Sequence, residues 1–259
     1  MNFNRTIQLK SPNMHGEDIK ALQNILLRKG FDCGEIDGYY GKNTLAAVKL
    51  FQKENKLDID GIVGPKTWGK LFEKNNISNS GIKIVCIDAG HGGKDPGTSF
   101  DGIKEKDVVL DVSLEMKRLL ENRGINVIIT RDSDISLDEN TRVNIVNNSN
   151  ADIVISNHLN SGKGDGCEVF HSVTDSRGKE LATKISNNIS NDLKIGNRGP
   201  KTRVNDKGNG YYFMIRRSKM TALIVEYLFM DRDSNLQLLK NNYKHTVRKL
   251  AAAVISSII

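Results

Sequence analysis

The chain has 259 residues, 38% hydrophobic and 27% charged, with 38 Lys+Arg against 31 Asp+Glu for a formal net charge of +7. That balance suits a folded chain with a sizeable core and excludes a disordered one, and no apolar run approaches the roughly 18–20 residues of a membrane span. The charge is spread, with 12 Lys+Arg against 9 Asp+Glu in residues 1–76 and 26 against 22 in residues 77–259. With RRSK (216–219) the longest basic cluster, attraction to an acidic matrix fits better than nucleic-acid binding.

Three scattered cysteines (Cys33, Cys86, Cys167) include no CxxC pair, which argues against a disulfide framework and a cysteine zinc site. The amino terminus MNFNRTIQLK lacks the apolar core of a secretory signal. The expectation is a protein made in the cytoplasm that reaches its place of work by another route.

In chain order, EDIKALQNILLRKG places Ile19, Leu22, Ile25 and Leu26 on one helical face and stops at Gly30. An internal repeat follows, DGYYGKNT at 37–44 and DGIVGPKT at 60–67, both reading D-G-x-x-G-x-x-T. Asp-Gly and the second glycine supply a turn, Thr44 and Thr67 lie near helix starts, and each copy leads into an amphipathic segment. Three short helices joined by turns are therefore predicted in about 65 residues.

IKALQNILLRKGF, IDGYYGKNTLAAVKLFQ and LDIDGIVGPKTWGKLF together resemble the peptidoglycan-binding domain type 1, over nearly all of residues 12–72. The resemblance implies wall targeting by residues 1–73, with bacterial peptidoglycan, and acidic wall polymers beside it, as partners. It also makes Tyr39, Tyr40 and Trp68 candidate sugar platforms, with Trp68 assigned to the core by its helical spacing. EKNNISNSG (73–81) breaks all periodicity, so residues 74–81 are expected to form a linker.

From residue 82 strands and helices alternate. Strands are predicted at 82–90, 125–131, 151–158, 166–171 and 222–229, and helices at 106–122, 138–148, 175–191 and 241–256. The fold class that follows is α/β, a mostly parallel twisted sheet flanked by helices over 82–259, beside the small three-helix domain. Polar residues collect at strand ends, where such sheets form sites. His91 sits in the glycine loop DAGHGGKDPG, Glu105 in GIKEKDVVL, His158 closes ADIVISNH, and Glu226 interrupts the apolar ALIVEYLFM. Two imidazoles and a carboxylate are a zinc ligand set that leaves a fourth position open. His91 and His158 are 67 residues apart, so no local spacing supports that assignment and ordinary structural histidines remain the alternative. The glycine loop fits no nucleotide-binding pattern.

IDAGHGGKDPG, GIKEKDVVLDVSLEMKRLLENRGINVIITR, ADIVISNHLN and ALIVEYLF resemble the zinc-dependent N-acetylmuramoyl-L-alanine amidases of the amidase 3 family, from about 83 to 257. The resemblance implies one Zn²⁺ held by His91, Glu105 and His158, with Glu226 as the catalytic general base for zinc-activated water. The bond cut would be the amide between the lactyl group of N-acetylmuramic acid and L-alanine of the stem peptide. Asn157 replaces a large aliphatic residue of the family pattern and Tyr227 a small one, and Tyr227 is expected to shape the groove. Asn160 is a candidate for substrate binding, with loop stabilisation as its alternative. Arg131 and Arg142 are expected to brace the fold, and Asp88, Asp95 and Asp107 are alternative partners for the imidazoles. A phage or prophage endolysin is the expected biological setting. The alternatives are a host autolysin, a sporulation or cortex amidase, a stem-peptide endopeptidase and a non-catalytic wall-binding protein.

Overall fold

The computed structural model describes residues 5–73 and 81–259, so the expected linker lies, except for Gly81, outside the described residues. The chain divides into two compact units, Met1–Asn76 and Ile77–Ile259.

The first unit holds α1 (Glu17–Arg28), α2 (Lys42–Glu54) and α3 (Pro65–Phe72). Gly41 and Gly64, the second glycines of the repeat, are the residues from which α2 and α3 start. Pro65 suits the first turn of α3 because the N–H it lacks would have had no helical partner there. Ile19, Leu22, Leu26, Val48, Phe51 and Leu71 meet in one core. Tyr40 and Trp68 belong to that core, the Tyr40 hydroxyl donating to the Gly61 carbonyl at 2.7 Å. Of the three candidate sugar platforms only Tyr39 is exposed, which corrects the expectation for Tyr40.

The repeat has a physical reason that lies outside its own eight residues. Gln23 of α1 donates from Nε2 to Asp37 Oδ1 (2.8 Å), the Tyr39 carbonyl (3.1 Å) and Thr44 Oγ1 (3.2 Å), and its Oε1 accepts from Gly38 N (2.8 Å). Gln52 of α2 repeats this on Asp60 Oδ1 (2.8 Å), the Ile62 carbonyl (3.0 Å), Thr67 Oγ1 (3.4 Å) and Gly61 N (2.8 Å). Each buried amide thus ties a preceding helix to the following D-G turn and the start of the next helix. Gln52→Leu leaves the buried Gly61 N–H without its acceptor, while the Thr67 hydroxyl keeps its bond to the Ile62 carbonyl (3.2 Å), and is expected to cost about 1–3 kcal/mol. The protein's one tryptophan, Trp68, lies in this unit, so urea unfolding followed by its fluorescence reads the loss directly.

The second unit runs β1 (Ile84–Ala89), a hairpin of β2 (Ser99–Phe100) and β3 (Ile103–Lys104), α4 (Glu105–Glu121), β4 (Asn126–Ile129), α5 (Glu139–Asn148), β5 (Ile153–Asn160), β6 (Cys167–Phe170), α6 (Ser176–Leu193), β7 (Asn197–Lys201), α7 (Phe213–Arg217), β8 (Thr221–Phe229), α8 (Asp233–Asn241) and α9 (Tyr243–Ile258). The main sheet has the order β4-β1-β5-β8-β6-β7 and is parallel except where β6 meets β8. Strand alternation sends Val85, Ile87, Ile155 and Val225 into the larger core, with α4, α6 and α9. Cys86, Val154, Ala222 and Ile224 point the other way, onto Val146 of α5 and Met214 and Ile215 of α7. From β1 the chain passes through α4 to β4 on one side, then returns through α5 to β5 on the other. The carboxyl ends of β1 and β5 therefore flank a topological switch point, the crevice where open α/β sheets place ligands.

The two departures from the family pattern prove to be partners. Tyr227 is fully buried and its hydroxyl donates to Asn157 Oδ1 at 2.8 Å, while Asn157 Nδ2 donates to Ser113 Oγ of α4 at 2.7 Å. Both side chains face α4, because residues 157 and 227 alternate with His158 and Glu226. Tyr227 thus does not shape the groove; it fills the opposite face. Tyr227→Phe leaves Asn157 Oδ1 unpaired and is expected to cost about 1–3 kcal/mol. Combined with Asn157→Leu it should cost less than the sum of the two single changes, as measured by a double-mutant cycle in urea.

Candidate metal centre and active site

His91 follows β1 at φ 58, a left-handed conformation that is uncommon for a residue with a side chain. Two buried arginines hold the loop in that shape. Arg131 donates to the carbonyls of Ala89 (3.0 Å), Gly90 (2.7 Å) and Lys106 (2.8 Å), and Arg142 to those of Ala89 (2.6 Å) and His91. Arg142 is itself anchored on the buried Asp88 carboxylate at 2.7 Å, which also accepts from Thr130 Oγ1 (2.8 Å) and Ser156 Oγ (2.6 Å). Burial alone would raise the Asp88 carboxyl. Arg142, Ser156 and Thr130 outweigh it and hold the group below its ordinary value. Both arginines are therefore braces, and Asp88 serves them rather than an imidazole. The imidazole partner is Asp95, whose Oδ2 lies 2.8 Å from His91 Nδ1 and fixes the ring.

Glu105 opens α4, and its buried carboxylate is the hub of the site. Oε1 lies 3.0 Å from His91 Nε2 and 3.1 Å from His158 Nδ1, and it accepts from Leu159 N at 2.9 Å. Oε2 accepts from Thr98 N at 2.8 Å. Two glycines permit the approach: a Cβ on Gly90 would stand 2.3 Å from His158 Cε1, and one on Gly97 would stand 2.6 Å from Glu105 Oε2. Burial opposes the charge on Glu105, but His158 and His91 overcome it and lower the carboxyl. Burial likewise opposes the charge on His91, yet Glu105 and Asp95 raise the imidazole to about 9.

Glu226 stands opposite His158 in the β5–β8 register. Its Oε2 is buried and has no hydrogen-bond partner among the described residues. Burial, first of all, pushes its pKa up to about 7, with Glu105 and Glu168 adding to the rise and His158 opposing it. One ligand atom each from His91, Glu105 and His158 fall within 4.8 Å of one another, so this group could hold a metal ion. Tetrahedral bonds of about 2.0–2.1 Å put neighbouring donors about 3.4 Å apart, close to the 3.0 Å and 3.1 Å that separate Glu105 Oε1 from His91 Nε2 and His158 Nδ1. The orphaned Glu226 oxygen beside three convergent donors is what a site built around a cation requires.

Sequence reasoning missed Glu168 of β6, which pairs with Glu226 in register. Its Oε1 accepts from Asn160 Nδ2 at 2.8 Å and its Oε2 from Arg198 Nε at 2.6 Å. Asn160 Oδ1 in turn accepts from Ser161 N at 2.8 Å, so both polar ends of that side chain are engaged within the chain. A carboxylate inside the apolar run CEVF is the same kind of signal as Glu226 in its own strand.

An α/β domain with a His–Glu–His cluster that could hold a metal at its switch point, beside a buried glutamate oxygen without a hydrogen-bond partner, has the donor set used by metal-dependent hydrolases. The chain belongs to the N-acetylmuramoyl-L-alanine amidase family, whose model matches residues 85–259, and residues 15–71 match that of a peptidoglycan binding domain. It is 32% identical over 163 residues to the sporulation-specific N-acetylmuramoyl-L-alanine amidase of Bacillus subtilis, covering 61% of this chain and 60% of that protein. It is 35% identical over 164 residues to an endolysin of Bacillus phage SPP1, covering 62% of this chain and 59% of that one. The chain thus spans about 60% of the length of these relatives. The CwlD amidase of Clostridioides difficile, solved in complex with the GerS lipoprotein, superposes with a TM-score of 0.62 at 28% identity, over 68% of this chain and 96% of that one. Among the described residues no helix is long and apolar enough to cross a membrane.

Proposed function

We propose that this chain is a peptidoglycan hydrolase that cuts the amide between the lactyl group of N-acetylmuramic acid and L-alanine of the stem peptide. Residues 1–73 would hold it on the wall, 74–81 link the parts and 82–259 carry the chemistry. The observation that carries the proposal is the convergence of His91, Glu105 and His158 beside the orphaned Glu226 oxygen. Two imidazoles and one carboxylate suit Zn²⁺, with His91, Glu105 and His158 as ligands. Zinc bound there would supply a Lewis acid for the scissile carbonyl and lower the pKa of a coordinated water to about 7.

The chain's own groups do the rest. Glu226 accepts the proton of the attacking water and returns it to the departing peptide nitrogen, a task suited to a carboxylate whose burial brings it near neutrality. Asp95 keeps His91 in one orientation, and Arg131 and Arg142 hold the loop that presents it. Wall binding by the first unit raises the local substrate concentration, and the net charge of +7 favours a wall rich in acidic polymers. One relative is named as a sporulation-specific N-acetylmuramoyl-L-alanine amidase and another as an endolysin, so the proposal covers the bond cut and does not choose between those settings.

The test is a digest of purified peptidoglycan with and without a zinc chelator, labelling new amino termini and counting new reducing sugars. Chelator-sensitive release of N-terminal alanine without reducing ends is expected. New reducing ends would make the protein a glycosidase and overturn the site, and an absence of products would leave a wall-binding protein.

A further inference from the structure

A row of charged side chains crosses the sheet beyond the metal cluster, and its far end is unaccounted for by hydrolysis. His158 on β5 pairs with Glu226 on β8, and Glu226 pairs with Glu168 on β6. Beyond Glu168 the β6–β7 register skips a residue: Cys167 faces Asn197, but Glu168 faces Gly199, so Arg198 is the extra residue of a bulge. Bulges re-aim side chains, and this one lays Arg198 against Glu168. A second irregularity, in which His158 faces Glu226 but Asn160 faces Phe229, puts Phe229 on the same face as Glu226. The Arg198 guanidinium lies over that ring, 5.2 Å from its centroid.

Arg198 is thereby fixed by one nitrogen and by stacking, while Glu168 is held on its other side by Asn160. The two terminal nitrogens of Arg198 have no partner among the described residues, and its side chain is 43% exposed against 10% for Glu168. A guanidinium anchored through Nε with both Nη groups free is a two-pronged donor matched to a carboxylate. Its ion pair with Glu168 and its stacking account for the anchoring but leave that outer edge unused. On the proposed substrate the glycan is uncharged once its lactyl group is amidated, whereas the stem peptide carries free carboxylates.

We propose that the outer edge of Arg198 docks a carboxylate of the stem peptide and so sets substrate specificity. This rests on the amidase assignment above. Strands lie about 4.8 Å apart and β7 is two strands from β8, so the Arg198 backbone is about 10 Å from that of Glu226, with its guanidinium reaching back over Phe229. An extended peptide covers about 3.4 Å per residue, so a carboxylate on the second or third stem residue falls within reach of that guanidinium.

The experiment compares soluble muramoyl peptides that differ only in having a carboxylate or a carboxamide at the second or third stem residue. For the wild-type protein, amidation at the recognised position lowers kcat/KM by about 10–100-fold, chiefly through KM. Arg198→Gln loses as much on the acidic substrate and is then indifferent to amidation, while Arg198→Lys retains part of the preference. The inference is overturned if the wild-type protein ignores amidation at both positions. It is equally overturned if Arg198→Gln slows acidic and amidated substrates by one common factor, the mark of a residue that only supports Glu168. Calorimetry of the free stem peptides with the wild-type protein gives an arm without turnover, in which equal affinities for acid and amide forms reject the docking point. Failure of the amidase assignment shows instead as no cleavage of any muramoyl amide.

Discussion

Glu226→Gln is expected to lower amide hydrolysis by about 10²–10⁴-fold, the range that a positioned general acid–base contributes. Its metal content should equal that of the wild-type protein. The two results belong together. Glu226 stands in register with His158 but is outside the cluster of His91, Glu105 and His158, so its removal takes away a proton acceptor and no ligand. Glutamine fills nearly the same volume and cannot take up the proton. Hydrolysis by Glu226→Gln at the wild-type rate, with metal bound, would remove Glu226 from the base's role. Loss of metal along with activity would make it a ligand instead.

Asp88→Asn is expected to carry the largest stability cost, about 3–5 kcal/mol, because it leaves Arg142 as a buried cation without its partner. In a domain of this size each kcal/mol moves Tm by about 2–4 °C, so calorimetry should show a fall of about 10 °C. The His91 loop hangs on the Arg142 guanidinium, so metal affinity should weaken as well. The pH dependence follows from the lowered Asp88 carboxyl. A carboxyl lowered in the folded state contributes its stability above the ordinary value of about 4, and loses it as pH falls through the folded one. The wild-type advantage over Asp88→Asn should therefore be full at neutral pH and shrink below about pH 4. An advantage that is constant with pH would mean that the ion pair is not its source.

The parts of the fold that show in the sequence are those with long, regular apolar patterns. Strands β1, β5 and β8 each begin with a largely apolar run, with polar residues gathered toward their carboxyl ends, because the sheet is covered on both faces. Helices α4 and α9 keep their apolar period over four turns or more. Strand β7, Asn197–Lys201, carries glycine and proline in a polar segment at the sheet edge, so nothing in its pattern marks a strand. Helices α7 and α8 and the β2–β3 hairpin are short and were masked by polar surroundings. Gln23 and Gln52 escape notice because they stand 14 and 8 residues before the aspartates they bind. Unequal spacing hides an equivalence that is plain in space.

At the site, the residue types suggested a metal, but a separation of 67 residues between His91 and His158 gave no local rule, and only the family resemblance joined them with Glu105. Strand alternation by itself puts Asn157 on the face opposite His158. It could equally have put Tyr227 there, since residues 226 and 227 are neighbours in one strand. The choice of Asp95 over Asp88 and Asp107 depended on a loop whose shape is set by Arg131 and Arg142, which no pattern of spacing conveys.

The most direct measurement is the anomalous scattering of zinc-loaded crystals, recorded on both sides of the zinc absorption edge. A single peak enclosed by His91 Nε2, His158 Nδ1 and the Glu105 carboxylate, with Glu226 beside it, is the predicted result. Zinc bound elsewhere, or these three side chains still hydrogen-bonded to one another in zinc-saturated crystals, would contradict the account.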